Sequence, residues 1–186
     1  MNTLLRPAVS LLAVLALLTG VAYPLLVGAI GRLAFTEQAQ GSLVRNPQGQ
    51  VIGSTLIAQA FAGDAWFQPR PSAGAFATVA SAASNLATHN PALAQRLRDD
   101  AERLSGQGEG PVPLALLTSS GSGLDPDLPP DAALWQVKRI AAARRLDAAM
   151  LEALVRQQVR TPWAGPPVVN VLALNLMLQQ RWPLMP

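Results

Sequence analysis

The longest apolar run of the chain lies near its N-terminus, from Pro7 to Gly31. It carries no charged residue and is bracketed by Arg6 and Arg32. As a helix rising about 1.5 Å per residue, it would be roughly 37 Å long, enough to cross a hydrocarbon core about 30 Å thick. Its first half is apolar on every side, so it lacks the polar face of a soluble helix. The pattern predicts a membrane helix over residues 7–31, preceded by a short tail of residues 1–6.

A cleaved signal peptide is the alternative interpretation of this run. Val27, Gly28 and Ala29 loosely resemble a small-residue cleavage site. The apolar core of a signal is usually about 7–15 residues long, and this run is longer, which favours an anchor. Lys and Arg residues near the two ends show no clear bias, so charge alone does not predict the orientation.

The second half of the run differs from the first in its small and kinked positions. Gly20, Pro24 and Gly28 recur every four residues and fall on one side of a helix. Small residues let membrane helices approach closely, which predicts a docking face for a larger membrane subunit.

The remaining residues, 32–186, have the patterning of one mixed α/β domain outside the membrane. Asn46 to Gly49 form a turn signal between short apolar runs. Asn90 and Pro91 are typical of a helix start. The pattern predicts these elements, in chain order: a hairpin over 42–52, helices over 55–62 and from 91 to about 105, a strand over 116–118, and helices over 130–145, from 148, and over 168–180.

Composition removes several classes of function. The chain has 14 basic and 11 acidic residues without any block of like charge, which argues against a nucleic-acid footprint. Arg144 and Arg145 are interpreted as a solvated helix face. The absence of cysteine excludes disulfides, thiol catalysis and cysteine-ligated metals. His89 has no second histidine or acidic cluster beside it, so no metal site is predicted.

The turn from Ser119 to Asp127 is the most suggestive stretch for chemistry. Its serines and glycines could present N–H groups to an anion, as in a tethered binding domain. A triad of Ser122, His89 and Asp125 can also be written, which would make the chain a secreted serine hydrolase. The turn fits neither a Walker loop nor a nucleophile elbow. We interpret it as an ordered turn in which Asp125 is an Asx residue, and predict no catalytic residue.

Two further features carry structural expectations. Asn170 and Asn175 lie in an apolar stretch, and because a buried amide needs hydrogen-bond partners, at least one should hold a loop in place. The tract from Pro71 to Gln95 contains no acidic or basic side chain apart from His89 and is rich in small residues. It is interpreted either as an ordered loop against another protein or as a surface loop.

Six ordered blocks resemble one family over nearly the whole chain, the C subunit of the bacterial Kdp potassium-transporting ATPase (KdpC). The blocks are Gly53–Gln59, Trp66–Ala73, Ser84–Leu86 followed by Asn90-Pro91, Thr118–Pro126, Gln136–Arg139 and Val169–Asn175. The family-motif residues are Gly53, Ser54, Gln59, Arg70, Pro71, Ser72, Asn85, Asn90, Pro91, Ser120, Gly121, Ser122, Gly123, Asp125, Pro126, Arg139, Asn170 and Asn175.

The resemblance implies an accessory, non-catalytic subunit of a high-affinity potassium uptake pump in the bacterial inner membrane. Its implied partners are a channel-like potassium-binding subunit, a P-type ATPase subunit and a small single-helix subunit. The N-terminus would be cytoplasmic and the C-terminal domain periplasmic. Two mechanisms remain open: a catalytic chaperone that promotes ATP binding by the ATPase subunit, and a periplasmic domain that gates or filters potassium entry.

The family's nucleotide proposal falls on Ser81, Ser84, Asn85 and Gln136. ATP would be engaged through the ATPase subunit, with no stably bound cofactor, and potassium would be the transported ion. The family's segment carries two glycines where this chain has Ala82 and Ala83. Loss of those glycines makes a close backbone approach to phosphate less favourable.

Overall fold

The N-terminal helix is the first of two units in the protein. The computed structural model describes residues 2–184, with side chains from Thr3 onward. The first unit reaches to Leu43 and the second begins at Val44. Helices α1 (Asn2–Leu17) and α2 (Tyr23–Ala34) are joined by a π-helical turn (Leu18–Ala22), and the short α3 (Thr36–Ala39) follows.

The predicted apolar helix is confirmed and extends beyond residues 7–31 at both ends. Thr3–Ala34 is long and apolar enough to cross a membrane, and its most apolar stretch is 0% buried within the chain. The proposed tail is helical from Asn2 onward. Apolar side chains that bury nothing within their own chain need lipid or another protein around them.

The π turn has a local cause in the sequence. Pro24 has no N–H, and its ring would clash with the carbonyl four residues earlier in a regular helix. The preceding N–H, that of Tyr23, instead donates to the carbonyl of Leu18, five residues back. Thr19 adds a bond from its hydroxyl to the carbonyl of Leu15 at 2.8 Å, a contact that often bends helices. The helix is therefore widened at one defined turn.

From Leu43 onward, the described residues form two small sheets and five α-helices. The elements are β1 (Leu43–Arg45), β2 (Val51–Ser54), α4 (Pro91–Leu104), a 3₁₀ turn (Leu114–Leu116), β3 (Asp127–Leu128), α5 (Pro130–Trp135), α6 (Val137–Arg144), α7 (Ala148–Gln157), β4 (Val169–Asn170) and α8 (Val171–Arg181). Strand β1 pairs with β2, and β3 pairs antiparallel with β4. Together with the apolar helix, this arrangement confirms the predicted fold class.

The turn and helix starts predicted from Asn46, Asn90 and Asp147 are confirmed. In the hairpin, the Asn46 side chain accepts from the N–H groups of Gln48 and Gln50, at 3.1 and 2.9 Å. Asn90 caps α4 by accepting from Ala92 N at 2.9 Å. Asp147 caps α7 in the same way, accepting from Ala149 N at 2.8 Å. These side chains satisfy N–H groups that the first turn of a helix or a tight turn leaves free.

The core lies around α8. That helix buries Val171, Leu172, Leu174, Asn175 and Leu178. The rest of the core comes from α5, α6, α7, the short strands, Leu116 of the 3₁₀ turn and one residue of an irregular segment, Phe67. Because α8 is apolar on most of its sides, it packs as a central element rather than as a surface helix.

The helix predicted over residues 55–62 is wrong. A continuous helix would direct its N–H groups at carbonyls four residues back. Here Leu56 N donates to the Ser54 hydroxyl at 3.1 Å and Ala58 N donates to Leu124 O at 2.8 Å. The carbonyl of Thr55 accepts from the Asn170 side chain at 3.0 Å. Tertiary and local side-chain bonds thus replace the helical ladder.

Three further boundaries differ from the prediction. The strand predicted over 116–118 is wrong, because a 3₁₀ turn occupies Leu114–Leu116, and Thr118 returns both its N–H and its hydroxyl to Leu114 O, at 3.0 and 2.9 Å. The helix predicted over 130–145 divides at Gln136 into α5 and α6. The last helix begins at Val171 because Asn170 is extended and caps it, accepting from Ala173 N at 3.0 Å.

Candidate functional site

Most of the motif blocks meet around an irregular stretch of backbone from Asp64 to Arg70, which we call the motif segment. It has no helical or strand partner, so its buried N–H and C=O groups must be satisfied by other means. Phe67, in its middle, is 0% exposed. Side chains from α6, α8 and the α5–α6 junction supply the missing bonds.

Asn175 holds the centre of the motif segment. Its side-chain oxygen accepts from Phe67 N and its nitrogen donates to Phe67 O, both at 2.9 Å. The residue is 1% exposed. The amide therefore pairs with one residue's backbone as a neighbouring strand would, and the expectation that a buried asparagine holds a loop in place is confirmed.

Gln136 holds the next residue in the same manner. Its oxygen accepts from Gln68 N at 2.8 Å and from Arg139 Nη2 at 2.9 Å. Its nitrogen donates to Gln68 O at 3.0 Å and to Ala132 O at 3.3 Å. A side-chain amide has two donors and two lone pairs, so all four are used, and the residue is 2% exposed.

Arg139 binds the start of the segment. Its guanidinium donates to Asp64 O at 2.6 Å and to Trp66 O at 3.0 Å, while the Asp64 carboxylate lies 4.0 Å away. Burial lowers the pKa of Arg139, and the nearby Asp64 acts in the opposite direction. An arginine titrates far above neutral pH, so the side chain remains a cation whose charge is met mainly by carbonyl dipoles.

Arg144 is the residue of this region for which the sequence prediction is wrong. It was expected on a solvated face, but its Nε donates to Ala65 O at 2.7 Å and its Nη1 to Trp182 O at 2.8 Å. Its guanidinium carbon also lies 4.4 Å from the centre of the Trp66 ring, a cation–π arrangement. Partial burial lowers its pKa. Arg145, by contrast, is exposed and ends α6 in a left-handed conformation.

Arg70 connects the motif segment to the turn that follows the 3₁₀ element. It forms an ion pair with Asp125 at 3.3 Å and donates to the carbonyl and the hydroxyl of Thr118, at 3.4 and 3.3 Å. Just beyond it, the Ser72 hydroxyl accepts from Phe76 N at 2.9 Å, which folds the chain after Pro71. The block Trp66–Ala73 is thus held at several successive positions.

The turn from Ser119 to Asp127 directs much of its hydrogen bonding inward. Asp125 accepts from Asp127 N at 3.1 Å, which confirms the predicted Asx turn. The hydroxyls of Ser120 and Ser122 accept from Asp125 N at 3.4 Å and from Leu124 N at 3.1 Å. Gly123 N also donates to Ser120 O at 3.2 Å, so the turn is ordered by its own bonds, and the anion site considered above stays a prediction. The carbonyl of Pro126 accepts from Val171 N at 2.9 Å, which ties the turn to α8.

Gly123 is required where this turn meets the uncharged tract. Its φ is +68°, and a Cβ there would lie 2.5 Å from Ala82 O. Beside it, Ala82 N donates to Ser122 O at 3.0 Å and the Ser81 hydroxyl donates to the same carbonyl at 2.8 Å. Part of the uncharged tract is therefore docked on the turn, whereas Gly121 is exposed with no atom within 4 Å of an added Cβ.

The block Gly53–Gln59 packs against the beginning of α8. A Cβ at Gly53 would meet Gln59 Oε1 and lie 2.9 Å from Leu172 Cδ2. Asn170 donates from its side chain to Thr55 O at 3.0 Å and to Asp127 at 3.2 Å. Ser54 is buried beside them. This block, the turn and α8 therefore form one connected region.

The four predicted nucleotide residues are not brought together by hydrogen bonds. Ser81 is bound to the turn, Asn85 is exposed with a φ of +52°, and Ser84 is half-buried. Within residues 2–184, no hydrogen bond joins that loop to Gln136. Nucleotide contact at these residues stays a prediction, and at Gln136 it would have to replace bonds that already hold the motif segment.

The described residues do not assemble the triad considered above. The Ser122 hydroxyl and the Asp125 carboxylate bind backbone N–H groups and Arg70, and His89 is exposed. Nor does the part of the chain from 2 to 184 contain a group of three or more histidine or acidic side chains placed to hold a metal ion.

A cleft of about 330 Å³ lies beside the motif segment. Arg70, Arg103 and Arg139 line it, and Asp64 is the one carboxylate among its described lining residues. Trp135 forms part of its wall, and the indole Nε1 of that residue is buried without a hydrogen-bond partner. The cleft is therefore partly aromatic, and its arginines are paired: Arg70 with Asp125, Arg103 with Asp100, and Arg139 with carbonyls of the motif segment.

Comparison with known proteins matches residues 5–180 to the family model described as "KdpC: K+-transporting ATPase, c chain". A Pseudomonas syringae pv. tomato protein is 58% identical over 180 residues, covering 97% of this chain and 95% of that protein. A Pseudomonas putida protein is 59% identical, with 97% and 98% covered. A Pseudomonas aeruginosa protein is 60% identical over 174 residues, with 94% and 95% covered. Each is described as a potassium-transporting ATPase KdpC subunit.

Proposed function

This chain belongs to the KdpC family, the c chains of K⁺-transporting ATPases, and from that premise we propose that it is an accessory, non-catalytic subunit of an ATP-driven potassium uptake pump. The observation that carries the proposal is the use made of the motif side chains. Asn175, Gln136, Arg139 and Arg144 hold the backbone of the motif segment instead of pointing at a common reacting atom. Side chains that hold the backbone in this way make the domain rigid, and a rigid domain offers a fixed surface to other subunits.

The apolar helix supports the same conclusion. A side chain that moves an ion through a membrane is polar or charged and faces a water-filled cavity or a partner. The stretch from Pro7 to Gly31 carries no charge, and one helix does not enclose a path. Ion transport and ATP hydrolysis therefore belong to partner subunits: a channel-like potassium-binding subunit and a P-type ATPase subunit, accompanied by a small single-helix subunit.

We propose that the protein lies in the bacterial inner membrane, with its N-terminus in the cytoplasm and residues 32–186 in the periplasm. The charges near the ends of the apolar helix allow this orientation, and a long domain can be translocated regardless of its charge. A reporter enzyme fused to the C-terminus tests the orientation. Activity of a periplasm-specific reporter supports it, and activity of a cytoplasm-specific reporter at the same position excludes it.

The two family mechanisms differ in what they require of Gln136. A catalytic chaperone that touches ATP would need free amide groups there, whereas an indirect effect or a potassium inlet needs only a stable domain. The amide of Gln136 is buried and all its hydrogen-bonding capacity is used, which favours an indirect effect on ATP affinity or a potassium inlet over direct contact with ATP. We therefore propose that this subunit stabilises the pump and acts on potassium entry from the periplasm, and that any effect on ATP affinity is transmitted through other subunits.

Co-purification tests the accessory role. The chain should co-purify with the larger membrane subunits when one of those subunits carries the affinity tag, and the purified chain alone should hydrolyse no ATP. Hydrolysis by the isolated chain, abolished by a single substitution within it, would contradict a non-catalytic role.

A further inference from the structure

The most exposed aromatic residue in the described chain is at the tip of a loop that neither the fold nor the proposed function has used. Trp163 is 101% exposed and therefore packs against none of the residues that the structure describes. Residues 161–167 join α7 to β4 and are all exposed. Their sequence is Thr-Pro-Trp-Ala-Gly-Pro-Pro, without a charged side chain.

This loop, residues 161–167, is closed at its base. Arg160 and Val168 exchange two backbone hydrogen bonds, at 2.8 and 2.9 Å. The Arg160 side chain also pairs with Asp127 at 2.8 Å, and the next residue, Val169, is buried in β4. Both ends of the loop are therefore held against the folded domain.

The loop itself has few accessible conformations. Three of its seven residues are prolines, whose φ is fixed, and Gly165 has a φ of +126° that a residue with a side chain rarely adopts. A Cβ at Gly165 would lie 3.6 Å from Pro162 Cγ, so the loop folds back on itself. Holding a side chain in place before binding lowers the entropy that association loses.

A lone tryptophan on a rigid, uncharged knob fits a pocket in a protein better than a lipid surface. Binding to an anionic membrane surface uses several Lys or Arg residues together with an apolar face. Here the loop holds one large apolar side chain, and Arg160 beside it is already paired with Asp127. Buried tryptophans are among the side chains that contribute most to protein–protein binding.

We propose that Trp163 is the aromatic anchor by which this domain docks into an apolar, uncharged pocket of a larger subunit of the same pump. The inference rests on the proposed function, since it needs a partner subunit within the complex. It adds a specific contact residue in the extramembrane domain, separate from the helix face of Gly20, Pro24 and Gly28.

The test uses the whole complex, purified in detergent through a tag on a larger subunit, and measures how fast this chain dissociates on dilution. Trp163→Ala should speed dissociation by about tenfold or more, and Trp163→Phe by less, because the ring is partly kept. Gly165→Ala should also weaken retention, since it disturbs the loop while leaving the indole present. Met150→Ala is the matched control, because it truncates an exposed apolar side chain outside the loop, on α7. It should leave the dissociation rate unchanged.

A second measurement distinguishes a protein pocket from lipid. The fluorescence of Trp163 is measured as the difference in emission between the wild-type chain and Trp163→Phe. For the complex in nanodiscs containing brominated lipid, the bromine should not quench this emission. For the isolated chain, acrylamide should quench it. Quenching of Trp163 by brominated lipid would overturn the proposal, as would dissociation of Trp163→Ala at the wild-type rate. If the wild-type chain does not co-purify at all, it is the accessory role that fails.

Discussion

Replacing Asn175 tests whether side chains hold the motif segment. In Asn175→Ala, the N–H and the C=O of Phe67 both lose their partners in a site where Asn175 is 1% and Phe67 0% exposed. A buried polar group left unpaired costs about 1–3 kcal/mol, so the two together should lower the free energy of unfolding by about 2–6 kcal/mol. That is a large share of the roughly 5–15 kcal/mol that stabilises a typical domain.

Asn175→Asp sharpens this prediction through pH. A protonated carboxyl can accept from Phe67 N and donate to Phe67 O as the amide does, but a carboxylate cannot donate. Burial favours the neutral form, so the pKa of the introduced aspartate should be raised above its unfolded value of about 3.9. The variant should then be near wild-type stability below about pH 4 and lose stability as the pH rises from there towards its folded pKa.

The assay is denaturant unfolding of the full chain in detergent, followed by near-ultraviolet circular dichroism, at several pH values. Asn90→Asp is the matched control, because aspartate caps a helix as well as asparagine does, and it should show no such decline. A cost below about 1 kcal/mol for Asn175→Ala, or a stability of Asn175→Asp that does not change with pH, would show that the Asn175 side chain does not hold the motif segment.

Three further predictions follow from the same contacts. Arg144→Ala removes two hydrogen bonds and the stacking on Trp66, so it should lower the free energy of unfolding in denaturant by about 2–4 kcal/mol. Arg156→Ala, at an exposed ion pair, should change it by less than about 1 kcal/mol, and equal effects of the two variants would contradict the buried role of Arg144. Gly123→Ala should lower the melting temperature because of its positive φ and Ala82 O, and Gly121→Ala, with open space around it, should not. Gly20→Leu combined with Gly28→Leu should weaken co-purification without preventing insertion, since no described atom beyond the helix's own neighbouring backbone lies within 4 Å of either Cβ position. Ala22→Leu, roughly half a turn from Gly20, should be tolerated. Unchanged assembly in the double variant would leave the helix as a tether alone.

Local patterns predicted the parts of the fold that depend on local physics. The apolar helix follows from one uncharged run, and the hairpin follows from Asn46 and Gly49. The starts of α4 and α7 follow from Asn90 and Asp147, since capping involves residues only two positions away. That a buried asparagine would hold a loop was also predictable, because its amide must find partners.

The features that the sequence patterns mispredicted depend on hydrogen bonds between residues far apart in the chain. Residues 55–62 have helical spacing, but Asn170 takes Thr55 O and Leu124 takes Ala58 N. Arg144 has the same local context as the exposed Arg145, and only the fold brings Ala65, Trp66 and Trp182 within its reach. The sequence has no signal that separates these two arginines, because these partners of Arg144 are 38 or more positions away.

The most direct test of the account is potassium-stimulated ATP hydrolysis by the pump with and without this chain. We expect the complex lacking it to show no potassium-stimulated activity, and the wild-type chain supplied in trans to restore it. The chain with Trp163→Phe and the Met150→Ala control should both restore activity as well. Potassium-stimulated hydrolysis that persists in the complete absence of this chain would contradict its role as a required accessory subunit.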